Sequence, residues 1–102
     1  MKLYVITTLF EGAGYDTNAY SHVVENVESL KDYLRGEIED YQTDWNMSED
    51  DIANALDCIN EIDKVDIPVI YVNSRNCYLE FKIQEYMLKP LKPNIVKWAE
   101  SE

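Results

Sequence analysis

Residues 26–63, NVESLKDYLRGEIEDYQTDWNMSEDDIANALDCINEID, decide the fold because they carry two successive helix signals. Asn26 is a typical N-cap residue, and apolar side chains then recur at steps of three and four. These side chains are Val27, Leu30, Leu34, Ile38, Tyr41 and Trp45. At 100° per residue they fall within about 80° of arc, a narrow stripe that suits packing on a sheet or another helix. The pattern predicts a first amphipathic helix that ends before Asn46.

A second helix signal follows almost at once. Asn46 and Met47 form a short connection, and Ser48 is a second N-cap, followed by three carboxylates that face the positive end of the helix dipole. The apolar face of this helix consists of Ile52, Ala55, Leu56, Ile59 and Ile62. We predict that it extends to about Asp63 and forms a helical hairpin with the first helix.

Strand signals lie on both sides of the helical pair. Residues 2–10 are rich in β-branched and aromatic side chains and fit an inner strand, and residues 19–24 can return beside them after a turn at 11–18. Residues 67–72 form a short apolar strand whose Pro68 indicates a strand start or a sheet edge. After a turn at 73–76, alternation from Cys77 to Gln84 predicts a half-buried strand with a polar face toward water. Asn94 can cap a short final helix.

This order of elements predicts the fold class. We expect one α+β domain over residues 1–102, with an antiparallel sheet of about four strands in the order β-β-α-α-β-β. The helical hairpin should pack on one face of the sheet, and the short C-terminal helix should lie at its margin. Segregation of strands from helices argues against a parallel sheet.

The net charge is concentrated in one part of the chain. Residues 25–66 hold fourteen acids against three bases, a balance of minus eleven, which equals the net charge of the whole chain. The other sixty residues carry six acids and six bases. Such confinement predicts a molecule with one charged side and one uncharged side.

This charge also limits the partners. A surface of about minus eleven is repelled by phosphate backbones and by anionic headgroups, so we expect no direct binding to nucleic acid or membrane. It attracts a basic protein face, and many basic faces hold nucleic acid. We expect a cytoplasmic protein, since no signal peptide and no run of 18 apolar residues is recognisable. We expect it to be a monomer or a homodimer. Cys58 and Cys77 fit no metal or redox pattern and are expected to be reduced.

Residue patterns for catalysis or metal binding are weak. Asp44, Asn46, Ser48 and Asp50 alternate like calcium ligands between two helices, but Glu49 replaces the required Gly and Ala55 replaces the bidentate Glu. His22 is the single histidine, and nothing in the sequence positions a nucleophile beside it. We therefore predict no metal site, no cofactor and no enzymatic activity.

The acidic side chains are the candidate site. On the first helix one group lies opposite the apolar stripe and another runs along its flank, and the second helix has a group opposite its core face. The candidate partner-binding residues are Glu28, Asp32, Tyr33, Glu37, Glu39, Asp40, Asp44, Asp50, Asp57 and Glu61. Carboxylates three or four residues apart on a helix are about 5 to 6 Å apart at Cβ, close to the spacing of successive phosphates. A rigid helical pair could therefore imitate a nucleic-acid strand.

Several readings of these acids are open. They could be only the solvated faces of two amphipathic helices. Two observations favour a binding role: like charges crowd together at a cost in stability, and interspersed bases are nearly missing here. In size, acidity and mixed architecture the chain resembles small inhibitors of restriction or CRISPR nucleases, and also immunity proteins that neutralise nuclease toxins. That resemblance is compositional. The confinement of the net charge to residues 25–66 favours an inhibitor of the first kind, with an immunity protein or an intracellular scaffold as alternatives.

Overall fold

Four antiparallel strands and two helices follow one another in the order β-β-α-α-β-β in the computed structural model. The structure describes residues 2–12, 17–74 and 77–87. The elements are β1 (Lys2–Gly12), β2 (Asn18–Val24), α1 (Val27–Trp45), α2 (Glu49–Glu61), β3 (Val69–Ser74) and β4 (Cys77–Met87). The predicted α+β class and element order are confirmed. The predicted helix after Asn94 lies outside the described residues.

The strands form a single sheet in the order β2-β1-β4-β3. The two long strands, β1 and β4, occupy the centre, which agrees with the inner position predicted for residues 2–10. Thr8 of β1 lies opposite Tyr20 of β2 on one side and opposite Phe81 of β4 on the other. β3 pairs only with β4 among the described residues and is therefore an edge strand.

Both helices pack on one face of this sheet, and the core lies between the two layers. From the sheet it takes alternate side chains of β1, β3 and β4, and from the helices it takes their apolar stripes. Its members include Ile6, Phe10, Leu30, Leu34, Ile38, Ile52, Ala55, Ile59, Ile70, Val72, Leu79 and Phe81, all buried. Full burial of each large side chain stabilises the fold by roughly 1.5–3 kcal/mol.

The helix caps are those that the sequence predicts. Asn26 Oδ1 accepts a hydrogen bond from the Ser29 backbone N–H at 2.8 Å, and Ser48 Oγ accepts one from the Asp51 N–H at 3.1 Å. Asn46 ends α1 in the left-handed conformation, with φ of 51°. Asn tolerates this conformation better than most residues, so the chain can reverse within three residues.

The predicted bounds differ from the observed ones mainly at β3. This strand begins at Val69 and ends at Ser74, two residues later than predicted. Pro68 has no N–H to donate, and Asn73 and Ser74, predicted in the turn, continue the pairing with β4. β1 and β4 run to Gly12 and Met87 because each offers the other a partner along its whole length. Helix α2 ends at Glu61, earlier than the predicted end at about Asp63.

Candidate protein-binding surface

The structure separates the ten predicted site residues into two groups. Eight have exposed side chains on the two helices: Glu28, Asp32, Glu39, Asp40, Asp44, Asp50, Asp57 and Glu61. These eight are called the acidic face below. Tyr33 and Glu37 are only half exposed, because they lie on the flank of α1 that turns toward β2.

Two of the three bases of the acidic stretch make contacts between the helices. Lys31 Nζ is 3.1 Å from Asp63 Oδ1, and the Lys31 side chain is only 12% exposed. Arg35 donates from Nη2 to Asn60 Oδ1 at 2.8 Å, across the same seam between α1 and α2. Its other terminal nitrogen is 3.8 Å from Asp32 Oδ1, and that carboxylate remains 80% exposed. Lys31 and Arg35 therefore join the helices, and the outward side keeps a large excess of acids, among which Asp32 is close to Arg35.

The end of α1 carries acids where they do not favour the helix. Asp44 lies in its last turn, which contains no base, and Asp40 lies one turn earlier. Carboxylates near the negative end of a helix dipole are unfavourable by a few tenths to about 1 kcal/mol. Glu28 and Asp50, by contrast, lie in the first turns of their helices, where a carboxylate is stabilising. Helix stability thus accounts for part of the acidic face only.

The flank of α1 that carries Glu37 is engaged with β2. The phenols of Tyr20 and Tyr41 are hydrogen-bonded at 2.7 Å, and Tyr20 also donates to Glu37 Oε2 at 3.3 Å. The ring of His22 stacks on Tyr33, with centroids 4.2 Å apart and planes inclined by 6°. These contacts attach α1 to the sheet edge, so Glu37 and Tyr33 serve internal packing. The period of α1 indicated their flank, but the sequence did not indicate that β2 covers it.

Burial at this junction changes two phenol pKa values. Burial, with a smaller contribution from the Glu37 carboxylate, raises the pKa of Tyr33 to about 12. Burial first, then the hydrogen bond to Tyr41 and the charge of Glu37, raises the pKa of Tyr20 well above its ordinary value. Both phenols therefore remain neutral at physiological pH.

The described ranges contain no cluster of side chains suited to a metal ion. Across residues 2–12, 17–74 and 77–87, no group of three or more His, Cys, Asp or Glu side chains is placed to hold a metal ion. Of the alternating residues at 44–50, Asn46 ends α1 and Ser48 caps the start of α2. Cys58 and Cys77 are both free thiols. Neither α1 nor α2 has the length and apolarity needed to cross a bilayer.

The sheet face opposite the helices carries exposed apolar side chains that the sequence did not predict. Tyr71 is 60% exposed, and Val23, Val69 and Tyr86 are exposed apolar side chains on the same face. The described helices do not cover it. Alternation in β3, where Ile70 and Val72 are buried between exposed neighbours, was the signal that could have shown it.

Two grooves lie at the ends of the helical layer. The larger, about 720 Å³, lies beside the start of α1, and its charged lining is mixed: Lys2, Asp63, Lys64, Asp66 and Glu85. The smaller, about 330 Å³, runs between α2 and the outer side of β3. Its lining includes Asp50, Asp51, Asn54, Cys58 and Tyr71. Among the described residues, the lining of the smaller groove thus has carboxylates and no base.

Comparison of the chain with protein-family models, with curated proteins and with solved structures finds no match.

Proposed function

We propose that this chain is a non-enzymatic protein-binding domain whose acidic face occupies the basic, nucleic-acid-binding surface of a partner protein. A nuclease is one class of partner with such a surface. The face would act as a mimic of a nucleic-acid strand and exclude the real one. Inhibition by this route needs no catalytic group, only carboxylates on a scaffold that holds them in place.

The observation that carries this proposal is the separation of bases from acids on the helical hairpin. Lys31 and Arg35 point into the seam between α1 and α2, where they contact Asp63 and Asn60. An ordinary solvated helix face intersperses both signs of charge, which reduces self-repulsion. Here the outward side has eight carboxylates, whereas Lys31 is almost covered and Arg35 is partly engaged in the seam. The resulting field attracts a basic surface.

The position of Asp40 and Asp44 supports the same conclusion. Asp44 lies in the last turn of α1, where the helix dipole disfavours a carboxylate and no base compensates, and Asp40 lies one turn earlier. Both side chains are exposed. A binding role gives these two acids a purpose that helix stability does not.

The proposal is tested by neutralising the acidic face. One variant replaces Glu39, Asp40 and Asp44 by their amides, and a second replaces Asp50, Asp57 and Glu61. Each is used as bait in lysate, with its fold checked by circular dichroism. We expect that both variants remain folded and lose most of the proteins that the wild type captures.

A matched control removes three acids from another part of the molecule. Glu11, Glu80 and Glu85 lie on the strands, outside the acidic face, and their amides change the net charge by the same amount. This control should capture the same proteins as the wild type. Equal loss in all three variants would mean that only net charge matters. Undiminished capture by both helix variants would contradict the proposal.

A further inference from the structure

The outer side of β3 presents backbone hydrogen-bonding groups without a strand partner in the described part of the chain. The direction of these groups follows from one bond. Ile83 N–H donates to the Pro68 carbonyl at 2.8 Å, so this opposed pair is a hydrogen-bonded pair of the antiparallel ladder. Pair types alternate along such a ladder. Ile70 and Val72 therefore direct their backbone groups toward β4, and Val69, Tyr71 and Asn73 direct theirs outward.

Nothing in the sequence of β3 blocks this edge. Proteins commonly protect an edge strand with a charged residue, an internal Pro or a bulge. β3 reads VIYVNS, has no charge, and keeps a continuous register from Val69 opposite Lys82 to Ser74 opposite Cys77. Val69 and Tyr71 present exposed apolar side chains beside the outward backbone groups. The edge is thus open to an added strand.

The space beside this edge differs from that at the opposite edge of the sheet. At β2, the stacked rings of His22 and Tyr33 and the bonded phenols of Tyr20 and Tyr41 occupy the region next to α1. At β3, the corresponding region next to α2 is the 330 Å³ groove. At one end of the groove the Ser74 hydroxyl donates to Asp51 Oδ2 at 2.7 Å, and this hydrogen bond connects β3 to α2.

The geometry points to a new binding site: we infer that the β3 edge accepts an extended, basic polypeptide segment as a fifth strand. An added strand alternates its side chains between two faces. Those on the helix side would enter the groove beside Asp50 and Asn54, which favours Lys or Arg. Those on the other side would lie beside Val69 and Tyr71, which favours apolar residues. The inference deepens the proposed function. It rests on that proposal for one point, namely that the segment belongs to a basic partner protein.

A second copy of this chain fits the edge less well. Two β3 strands paired about a two-fold axis would bring the acidic sides of two α2 helices together, and within the described residues the groove lining contains Asp50 and no base. Like charges in such a position repel. Charge complementarity therefore selects a basic occupant.

The test uses an eight-residue peptide that alternates Val and Lys, capped at both ends. A Val/Glu peptide controls for charge, and a Val/Lys peptide N-methylated at alternate residues keeps the charge but cannot complete a ladder. We expect the Val/Lys peptide to slow hydrogen exchange of the Val69, Tyr71 and Asn73 amides by about tenfold or more. It should also slow alkylation of Cys58, which lines the groove. Neither control peptide should do so.

Two variants locate the contact on the backbone. Tyr71→Pro removes an outward N–H and no bond to β4, whereas Tyr71→Thr keeps that N–H and removes the ring. We expect Tyr71→Pro to abolish the protection and Tyr71→Thr to keep most of it. Slow exchange at Ile70 and Val72 verifies that β3 still pairs with β4. If Tyr71→Pro fails this check, the N-methylated peptide performs the same test on the wild-type protein.

The inference is overturned if the three outward amides gain no protection at millimolar Val/Lys peptide, or if the N-methylated peptide protects them equally. It is separable from the proposed function. The Glu39, Asp40 and Asp44 amide variant should still bind the peptide at β3, because these residues are on α1. Capture that depends on the acidic face but not on the β3 edge would leave the proposed function standing and remove this inference. Capture that depends on the β3 edge but not on the acidic face would support this inference and contradict the proposed function.

Discussion

Lys31 of α1 and Asp63, just beyond the end of α2, form an ion pair of 3.1 Å across the seam of the helical hairpin. The Lys31 side chain is almost covered, so its cation neutralises a charge within the seam and contributes little to the outward field. Arg35 acts in the same seam through Asn60. These contacts hold the hairpin together, and they draw Lys31 almost fully and Arg35 in part away from its outward side. The stability of the hairpin and the polarity of its surface thus have a common origin.

The Lys31–Asp63 pair predicts a specific response to acid. The hydrogen bond from Lys31 lowers the pKa of Asp63 below the ordinary value of 3.8. The pair therefore stabilises the fold above pH 3.8, and this contribution is lost as the pH falls through the lowered pKa of Asp63. The wild type should therefore exceed Asp63→Asn in stability by a constant amount between pH 5 and 8, and this difference should shrink below about pH 4.

Urea unfolding at a series of pH values measures this difference. The same comparison in a Lys31→Met background, which keeps the packed stem and removes the charge, is the control and should show little pH dependence. A difference between wild type and Asp63→Asn that is the same at pH 3 and pH 7 would show that the pair contributes nothing.

The two ends of the helices predict opposite effects for the same chemical change. Asp44→Asn removes a charge at the unfavourable end of α1 and should raise the free energy of unfolding by about 0.3–1 kcal/mol. Asp50→Asn removes a charge in the first turn of α2 and should lower it by a similar amount. Chemical denaturation at low salt measures both, and salt at 1 M should reduce both effects. A loss of stability in Asp44→Asn would contradict this account of α1.

The phenol of Tyr33 predicts a response to alkali. Its folded-state pKa of about 12 lies above the ordinary phenol value of about 10, so the folded state favours the neutral form. That contribution is present below pH 10 and is lost as the pH rises from 10 through 12. The stability of the wild type relative to Tyr33→Phe should therefore fall between pH 9 and 12. A relative stability that does not change over this range would mean that Tyr33 titrates like a solvated phenol.

The contact between Gly12 and Trp45 predicts a different result for two Gly→Ala changes. A Cβ at Gly12 would meet Trp45 Cη2 at 2.5 Å, whereas a Cβ at Gly36 would meet nothing within 4 Å. Gly12→Ala should cost about 1–3 kcal/mol and alter tryptophan fluorescence, because the ring must move. Gly36→Ala should stabilise α1 by up to about 1 kcal/mol. Equal effects of the two changes in thermal unfolding would contradict the packing of Trp45 on β1.

The sequence predicts most of this fold because its local signals agree with its packing. The stripe from Val27 to Trp45, the caps at Asn26 and Ser48, and alternation in β4 each indicate an element that the structure contains. β3 was placed two residues early because apolarity at Ile67 resembles a strand, and only pairing with β4 shows where the ladder begins.

The candidate site is predictable in part for a similar reason. Helical periodicity gives the direction of each acid relative to its own core stripe, and eight of the ten predicted residues are exposed as expected. Tyr33 and Glu37 differ because β2 lies against their flank, and a single helix carries no information about its neighbour. The outward direction of the Val69 and Tyr71 backbone groups could not be predicted either. It depends on the strand order and on the type of each opposed pair, which are set only when the sheet forms.

The most direct test of nucleic-acid mimicry is competition for one partner surface. The protein that this chain captures most strongly from lysate is purified, and its binding to the chain is measured with increasing duplex DNA or RNA at 0.1 M salt. We predict that the fraction of partner bound to the chain falls as the fraction bound to nucleic acid rises. Raising the salt should also weaken binding of the chain, because charges are screened beyond a Debye length of about 10 Å at 0.1 M. Simultaneous binding of chain and nucleic acid, with neither affecting the affinity of the other, would contradict mimicry.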